Sequence, residues 1–321
     1  MILKKSQWDR WMGQLINGEW VKGSVSNNSK DGGFKRLNSI FRNNINEGHD
    51  TYLAESNRYH LYVSYACPWA HRTLIFRKLK NLEDHISVDF SHPDMLEMGW
   101  SFAKDFPKAT GDTLYNKKYA HEIYQISDEK VSTKATVPIL WDKKTRSIVN
   151  NESSEIIRIL NSAFNNITKN YNDYYPYNLR KEIDYINKII YENVNNGVYK
   201  SGFSTTQASY EDAVNKLFST LEMIEKILNK QDFLVGNVLT EADIRLVPTL
   251  IRFDCVYYLH FKCNLKKISD YKNISRYLKN LFEKKAINTT TNFEHIKRHY
   301  YFSHEHINPY RIIPIGPELS L

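Results

Sequence analysis

Cysteine is scarce in this 321-residue chain: Cys67, Cys255 and Cys263 are odd in number and far apart. That excludes a disulfide framework and points to a reducing compartment. No apolar run approaches the length that spans a bilayer, and Met1 to Trp11 lack the apolar core of a secretory signal. A cytoplasmic protein without membrane association is therefore expected. No basic block is long enough to indicate nucleic acid. The net charge of +8 comes from scattered lysines, a balance that mildly favours anionic ligands. Ligand sets for a metal are also thin. His295-x-x-x-His299 places two imidazoles on one helix face, but no carboxylate or cysteine completes the set at suitable spacing, so no metal is expected.

Aromatic residues are plentiful at 13%, with 22 tyrosines. Tyrosine joins an apolar body to a polar tip, which suits an aromatic ligand as well as a core. The length suggests about two domains.

The chain is organised around Tyr59-His60-Leu61-Tyr62-Val63-Ser64-Tyr65-Ala66-Cys67-Pro68-Trp69-Ala70-His71-Arg72. An alternating apolar run reads as a buried strand. Pro68 then opens a helix, which puts Cys67 at or near its N-cap. Free N–H groups and the positive end of the helix dipole favour a thiolate there. Ala70 stands where a Cys-x-x-Cys pair would have its second sulfur, so a disulfide on Cys67 must be resolved by an outside thiol. A buried cysteine acting as a small hydrophobe is the alternative.

Residues 1–58 read as an N-terminal extension without sustained periodicity, with Trp8, Trp11, Trp20, Phe34 and Phe41 as packing anchors. Ile86 to Phe90 reads as a second strand. Residues 91–134 read as a long irregular insertion, where Trp100 is either a lid residue or an anchor. Thr136 to Asp142 and Ser147 to Asn150 read as a hairpin, followed by a helix with a polar start at Asn151 to Ser154. This order is thioredoxin-like, with Pro138 as the candidate cis proline. Val137 before it could offer its backbone to a peptide ligand as a strand partner. Thus 59–163 is expected as a thioredoxin-like α/β domain, 164–177 as a linker, and 178–321 as an all-α domain with a C-terminal tail. Within the latter, Asn195 to Gly202 reads as a loop between helices. Thr240 and Asp243 form a capping box, flanked by Leu239 and Ile244 as a hydrophobic staple. Pro248 marks a kink in the helix that follows.

A thioredoxin-like domain followed by a helical domain with this capping box resembles a glutathione transferase. More narrowly, the chain resembles the Xi class, the glutathionyl-hydroquinone reductases. The matching stretches include Tyr59 to Val63 with Cys67 to Arg72, Val137 to Asp142, Ile148 to Glu155, Asn195 to Lys200, Leu239 to Arg245, Arg252 to Asp254, His260 to Asn264 and His295 to Tyr301. Cys-Pro before an aromatic residue alone would not separate this class from omega-class transferases; the set does. The resemblance implies Cys67 as nucleophile. It implies a glutathione site at Trp100, Lys134, Ala135, Thr136, Val137, Glu152 and Ser153. Tyr199 would exchange a proton with the substrate, and Tyr257 and Tyr300 would help hold the sulfur as thiolate. Glutathione is then the co-substrate, S-glutathionyl-hydroquinones the substrates and a homodimer the expected assembly.

The residue types suit that chemistry. Glu152 can face the α-amine of the γ-glutamyl unit, and Ser153 with neighbouring amides can take its α-carboxylate at a helix start; both residues could equally do no more than cap their own helix. An omega-type thioltransferase or dehydroascorbate reductase would need Cys67 but not Tyr199. A non-catalytic binding module of the same fold would need neither.

Overall fold

A computed structural model of the chain describes residues 13–23, 29, 31–46, 48 and 50–317. Trp8 and Trp11 lie outside the described residues. The chain divides into two compact units, Met1–Asn27 with Leu37–Asn170 and Asn292–Ile313, and Asn28–Arg36 with Tyr171–Thr291 and Pro314–Leu321. In chain order the first unit holds β1 (Gln14–Ile16), β2 (Glu19–Val21), β3 (Tyr59–Val63), α1 (Pro68–Leu79), β4 (Ser87–Phe90), β5 (Met95–Leu96), β6 (Gly99–Trp100), α2 (Ala120–Ser127), β7 (Ile139–Asp142), β8 (Ser147–Asn150), α3 (Ser153–Ser162) and α4 (Asn165–Thr168). The second holds α5 (Arg180–Ile190), α6 (Gly197–Gly202), α7 (Gln207–Leu228), α8 (Glu241–Arg252), α9 (Tyr258–His260), α10 (Lys272–Phe282) and α11 (Lys285–Asn288). With α12 (Phe293–Ser303) the chain returns to the first unit.

The first unit is built on a four-stranded sheet in the order β4-β3-β7-β8. β3 runs parallel to β4 and antiparallel to β7, and β7 pairs antiparallel with β8. Every residue of β3 is buried, as a central strand covered on both faces requires. α1 and α3 pack against each other. This is the thioredoxin-like arrangement that the strand, Cys-Pro, helix order implies. The β7–β8 turn is tied down from below: Arg58 Nε donates to Asp142 Oδ1 at 2.9 Å, and Lys144 N donates to the same oxygen at 2.9 Å.

The insertion is less irregular than its composition suggests. It contains the β5–β6 hairpin and the helix α2. The start of α2 is hard to read because Tyr119, not Ser, Thr or Asp, stands at its N-cap. Glu122 supplies the closing carboxylate, accepting from Tyr119 N at 2.9 Å and Lys118 N at 2.8 Å.

The extension is pinned by pairing rather than by a core of its own. Leu15 and Thr133 exchange backbone hydrogen bonds at 2.8 and 3.0 Å. Trp20 stacks on His121 with centroids 4.3 Å apart. Farther along, Asn43 N donates to Val149 O at 2.9 Å and Asn151 N to Phe41 O at 3.1 Å. Residues 41–43 thereby cover the open edge of β8, which would otherwise present unpaired backbone groups.

Among the described residues, the elements of the second unit from α5 to α11 are helical. The capping box expected at Thr240 is present, and Asp243 is fully buried within it. Beyond Pro248, α8 passes into a π turn at Phe253–Tyr257 before α9. Asn195 to Gly202 is not a loop. α5 runs through a π turn at Tyr191–Asn195 into α6. Gly202 is there for close packing, since a Cβ would sit 2.2 Å from the Phe261 ring.

The end of the chain also differs from its sequence grouping with residues 178–321, because Asn292–Ile313 falls in the first unit. The cause is polar. His295 Nε2 bonds Pro107 O at 2.6 Å, His299 Nδ1 bonds Pro93 O at 2.8 Å, and Arg298 forks onto Asp94 at 2.7 and 2.8 Å. The paired imidazoles on one helix face thus engage backbone carbonyls. No helix among the described residues is long and apolar enough to cross a membrane.

Candidate active site

β3 delivers the chain to Cys67, and Pro68 starts α1 immediately after it. Cys67 occupies the N-cap in extended conformation, with φ −78° and ψ 119°. No side chain caps this helix, and its first turn holds no acidic residue. Its N-terminal N–H groups and dipole therefore act on the cysteine itself. The sulfur lies 3.5 Å from Val137 O, and the side chain is nearly buried at 7% exposure. The Val137–Pro138 peptide is cis, as expected for Pro138. None of the three cysteines is in a disulfide. Cys263 differs sharply in surroundings: burial pushes its thiol up to about 12. Cys255 is buried with its sulfur 3.6 Å from Ile251 O.

Two segments flank the sulfur's partner. Pairing of β7 with β3 begins at Ile139 opposite Tyr62, so Val137 stands just outside the ladder. Lys134, Ala135 and Thr136 are half-buried beside it. The second segment is the start of α3. Glu152 is its N-cap and accepts from Ser154 N at 3.1 Å and Ser154 Oγ at 2.9 Å. Its other oxygen accepts from Ser39 Oγ at 3.3 Å. Ser153 is buried, with Arg72 Nη1 3.5 Å from its hydroxyl. The Arg72 guanidinium, itself buried, stacks over Trp69 at 4.6 Å.

One side chain ties these segments together. The Tyr124 hydroxyl accepts from Thr136 N at 3.1 Å and from Asn151 Nδ2 at 3.0 Å, and donates to Thr136 O at 2.9 Å. It thus joins the residue before Val137 to the residue before Glu152. Burial pushes the Tyr124 phenol above its ordinary range, so it stays protonated and keeps its donor. The sequence carries no local signal for Tyr124, because its partners lie 12 and 27 residues away. Arg72 had a weak one, as the last residue of the Cys-Pro-Trp-Ala-His-Arg run.

The remaining candidates form two groups. Trp100 is buried and stacks on His299 with centroids 4.8 Å apart, and Tyr300 lies on the same imidazole at 5.1 Å. Trp100 is therefore anchored under α12 rather than waving as a lid. In the second unit, Tyr199 and Tyr257 are 6.1 Å apart between ring centroids, and both pack on Phe261 at 5.5 Å.

Comparison with known proteins agrees with this geometry. Residues 66–163 match the family model "Glutathione S-transferase, N-terminal domain", and residues 207–280 match "Glutathione S-transferase, C-terminal domain". The chain is 51% identical over 313 residues to the glutathionyl-hydroquinone reductase YqjG of Escherichia coli (strain K12), covering 95% of each. The glutathione-bound structure of YqjG aligns with a TM-score of 0.89 at 48% identity, covering 96% of both chains. The glutathione-S-transferase Xi of Phanerochaete chrysosporium aligns with a TM-score of 0.88 at 52% identity, covering 90% of this chain and 94% of that one.

Proposed function

The chain belongs to the Xi class of the glutathione transferase family, and from that premise we propose that it is a glutathionyl-hydroquinone reductase with glutathione as reductant. The observation that carries the reading is Cys67 at the uncapped start of α1, with its sulfur against the Val137 backbone and Ala70 in place of a second sulfur. A thiol so placed attacks a glutathionyl sulfur and needs an outside thiol to release it.

Glutathione lies with its cysteinyl unit paired to Val137 and its γ-glutamyl end at the start of α3. Glu152 takes the α-amine; Ser153 and the adjacent amides take the α-carboxylate. Lys134, Ala135, Thr136 and Trp100 complete this side. An aryl thioether resists direct attack, so the ring first passes to a ketone tautomer with the sulfur-bearing carbon next to a carbonyl. Tyr199 moves the proton this requires, and Tyr257 and Tyr300 help hold the thiolate. Cys67 then attacks sulfur, the carbon–sulfur bond breaks, and the electron pair leaves as a hydroquinone anion that takes up a proton. A second glutathione thiolate attacks the Cys67 mixed disulfide, giving oxidised glutathione and free Cys67.

This reading gives residues 59–163 the glutathione chemistry and the helices beyond 178 the substrate side and dimerisation. It also makes the enzyme a cytoplasmic homodimer, where reduced glutathione is abundant. Light scattering during gel filtration tests the dimer.

The activity is tested with glutathionyl-menadiol and glutathione, following release of menadiol and oxidised glutathione in equal amounts. Tyr199→Phe separates this function from an omega-type thioltransferase. It keeps the ring and removes the phenol, so hydroquinone reduction should slow by about 10²–10⁴-fold while reduction of a small mixed disulfide barely changes. Loss of neither activity would favour the thioltransferase.

A further inference from the structure

The N-terminal extension contains no motif, yet part of it is bound firmly within the second unit. Asp31 O accepts from Thr206 Oγ1 and from Ser209 Oγ, both at 2.9 Å, and Thr205 N donates to Gly32 O at 3.0 Å. Gly32 has φ +85°, and a Cβ there would lie 2.7 Å from Thr206 Cγ2 and 2.8 Å from Thr205 Oγ1. Only glycine lets the chain turn this tightly against the start of α7.

What this strap delivers is Phe34 and Arg36. The Arg36 guanidinium lies 5.0 Å from the centroid of the Tyr199 ring and 5.6 Å from that of Phe34. It is held there, because Arg36 Nε donates to Asn196 Oδ1 at 2.8 Å. Asn196 is buried and immediately precedes α6, three residues ahead of Tyr199 and so on the same side of the helix. Phe203, Tyr257 and Phe261 pack around the half-buried ring, at 6.0, 6.1 and 5.5 Å. Lys200, next to Tyr199 in sequence, is engaged with Glu192 at 3.0 Å. Arg36 is thus a fixed cation over the face of the tyrosine, within the distance at which such pairs attract.

We propose that Arg36 is a positioning residue for Tyr199: it fixes the ring and stabilises the negative charge that develops on the phenol oxygen while its proton is on the substrate. The proposal deepens the reading above and rests on the role given there to Tyr199. Beside these rings the half-buried phenol is only partly solvated, and a preorganised cation stabilises its charge at no cost in reorganisation. Nothing covalent passes through Arg36; Tyr199 gives its proton to the sulfur-bearing ring carbon while the substrate hydroxyl loses its own to solvent, that hydrogen stays on the ring in the hydroquinone product, and Tyr199 is reprotonated from solvent.

The test compares wild type, Arg36→Met, Arg36→Lys, Tyr199→Phe and the Tyr199→Phe/Arg36→Met double variant. Each is assayed on glutathionyl-menadiol and on the mixed disulfide of glutathione with 2-mercaptoethanol. Arg36→Met should slow glutathionyl-menadiol reduction about tenfold, the scale of one well-placed cation–ring contact, and leave the mixed disulfide rate within about twofold. Arg36→Lys, which restores the charge, should recover most of the loss. The double variant should be no slower than Tyr199→Phe, because the cation acts only through the phenol. The proposal is overturned by an Arg36→Met enzyme that matches wild type or loses both activities alike. It is equally overturned if Arg36→Lys is no better than Arg36→Met, or if the two losses multiply in the double variant. If Tyr199→Phe is itself unselective, the role of Tyr199 fails and the proposal with it; if Tyr199→Phe is selective and Arg36→Met silent, the proposal fails alone.

Discussion

Helices α1 and α8 begin alike in outline and are finished in opposite ways. α8 opens on Thr240 and carries Asp243 at its third position; α1 opens on Cys67 and carries Ala70 there. Asp243 folds back onto Thr240 N at 2.8 Å and also accepts from Leu234 N at 2.9 Å and the Tyr277 hydroxyl at 2.8 Å. The start of α8 is saturated. At α1 no side chain caps the first turn, and the Cys67 sulfur lies 3.5 Å from Val137 O. A closed start contributes stability. An open one keeps its donors and dipole for whatever negative charge arrives, here a thiolate or the sulfur chemistry around it. The third helical residue, carboxylate or methyl, separates the closed helix start from the open one.

The largest effect expected from this contrast is at the open end. Cys67→Ala should abolish turnover, while Cys255→Ala and Cys263→Ala should keep most of it. Iodoacetamide at neutral pH followed by mass spectrometry should modify Cys67 in the wild type and spare Cys263, whose thiol burial pushes up to about 12. That thiol stays protonated until the solution is strongly alkaline, so it has no thiolate to react. A Cys67→Ala enzyme with normal rates would remove the basis of the comparison.

At the closed end the effect falls on stability. Asp243→Ala leaves Leu234 N, Thr240 N and the Tyr277 hydroxyl without their acceptor in a fully buried place. Unsatisfied buried groups cost 1–3 kcal/mol or more, so a loss of about 3 kcal/mol is expected in urea unfolding. The folded variant should bind glutathione as the wild type does. Weakened binding at equal folded fraction would mean that α8 is not purely structural.

α3 stands between the two, because Glu152 both caps its helix and is assigned to the ligand's amine. Glu152→Gln keeps an oxygen for Ser154 N and removes the charge. Charge-assisted bonds contribute about 1.5–3 kcal/mol, so glutathione affinity by calorimetric titration should fall about tenfold to a hundredfold, with little change in melting temperature. Unchanged affinity would put Glu152 with Thr240, as a cap only.

What could be read from the residue order follows the same division. Cys67, Pro68 and the apolar run before them are local, and so are the β7–β8 hairpin and the Thr240 box; each lay within one stretch and each appears in the fold. α2 was hidden because Tyr119 replaces a usual cap residue, and the glycines at 197 and 202 imitate a loop where the second serves a close helix contact with Phe261. The residues that arrange the site from a distance had no local trace. The strap at Asp31 to Arg36 looks like a turn-rich extension, and α12 looks like the end of a helical domain until His295, Arg298 and His299 find carbonyls and a carboxylate 188 to 206 positions earlier. Periodicity reports which face of an element is buried, not what it is buried against.

Tyr124 is the clearest case of such a residue, and the effect expected from it is the smallest of these. Its hydroxyl serves Thr136, itself assigned to glutathione, on one side and on the other Asn151, which precedes the assigned Glu152. Tyr124→Phe removes no contact with the ligand. It frees the two segments to shift relative to each other and leaves Thr136 N and Asn151 Nδ2 to find other acceptors. A buried tyrosine without such a role makes the control: the Tyr62 hydroxyl donates to Asp112 at 3.0 Å and touches neither segment. Each Tyr→Phe change should cost about 1–2 kcal/mol of stability. Only Tyr124→Phe should raise the KM for glutathione, by about fivefold for a loss near 1 kcal/mol in binding, with kcat at saturating glutathione nearly unchanged. Loss of uniform binding has that signature. If Tyr62→Phe raised KM equally, the effect would belong to general loosening of the first unit, and Tyr124 would be an ordinary core tyrosine.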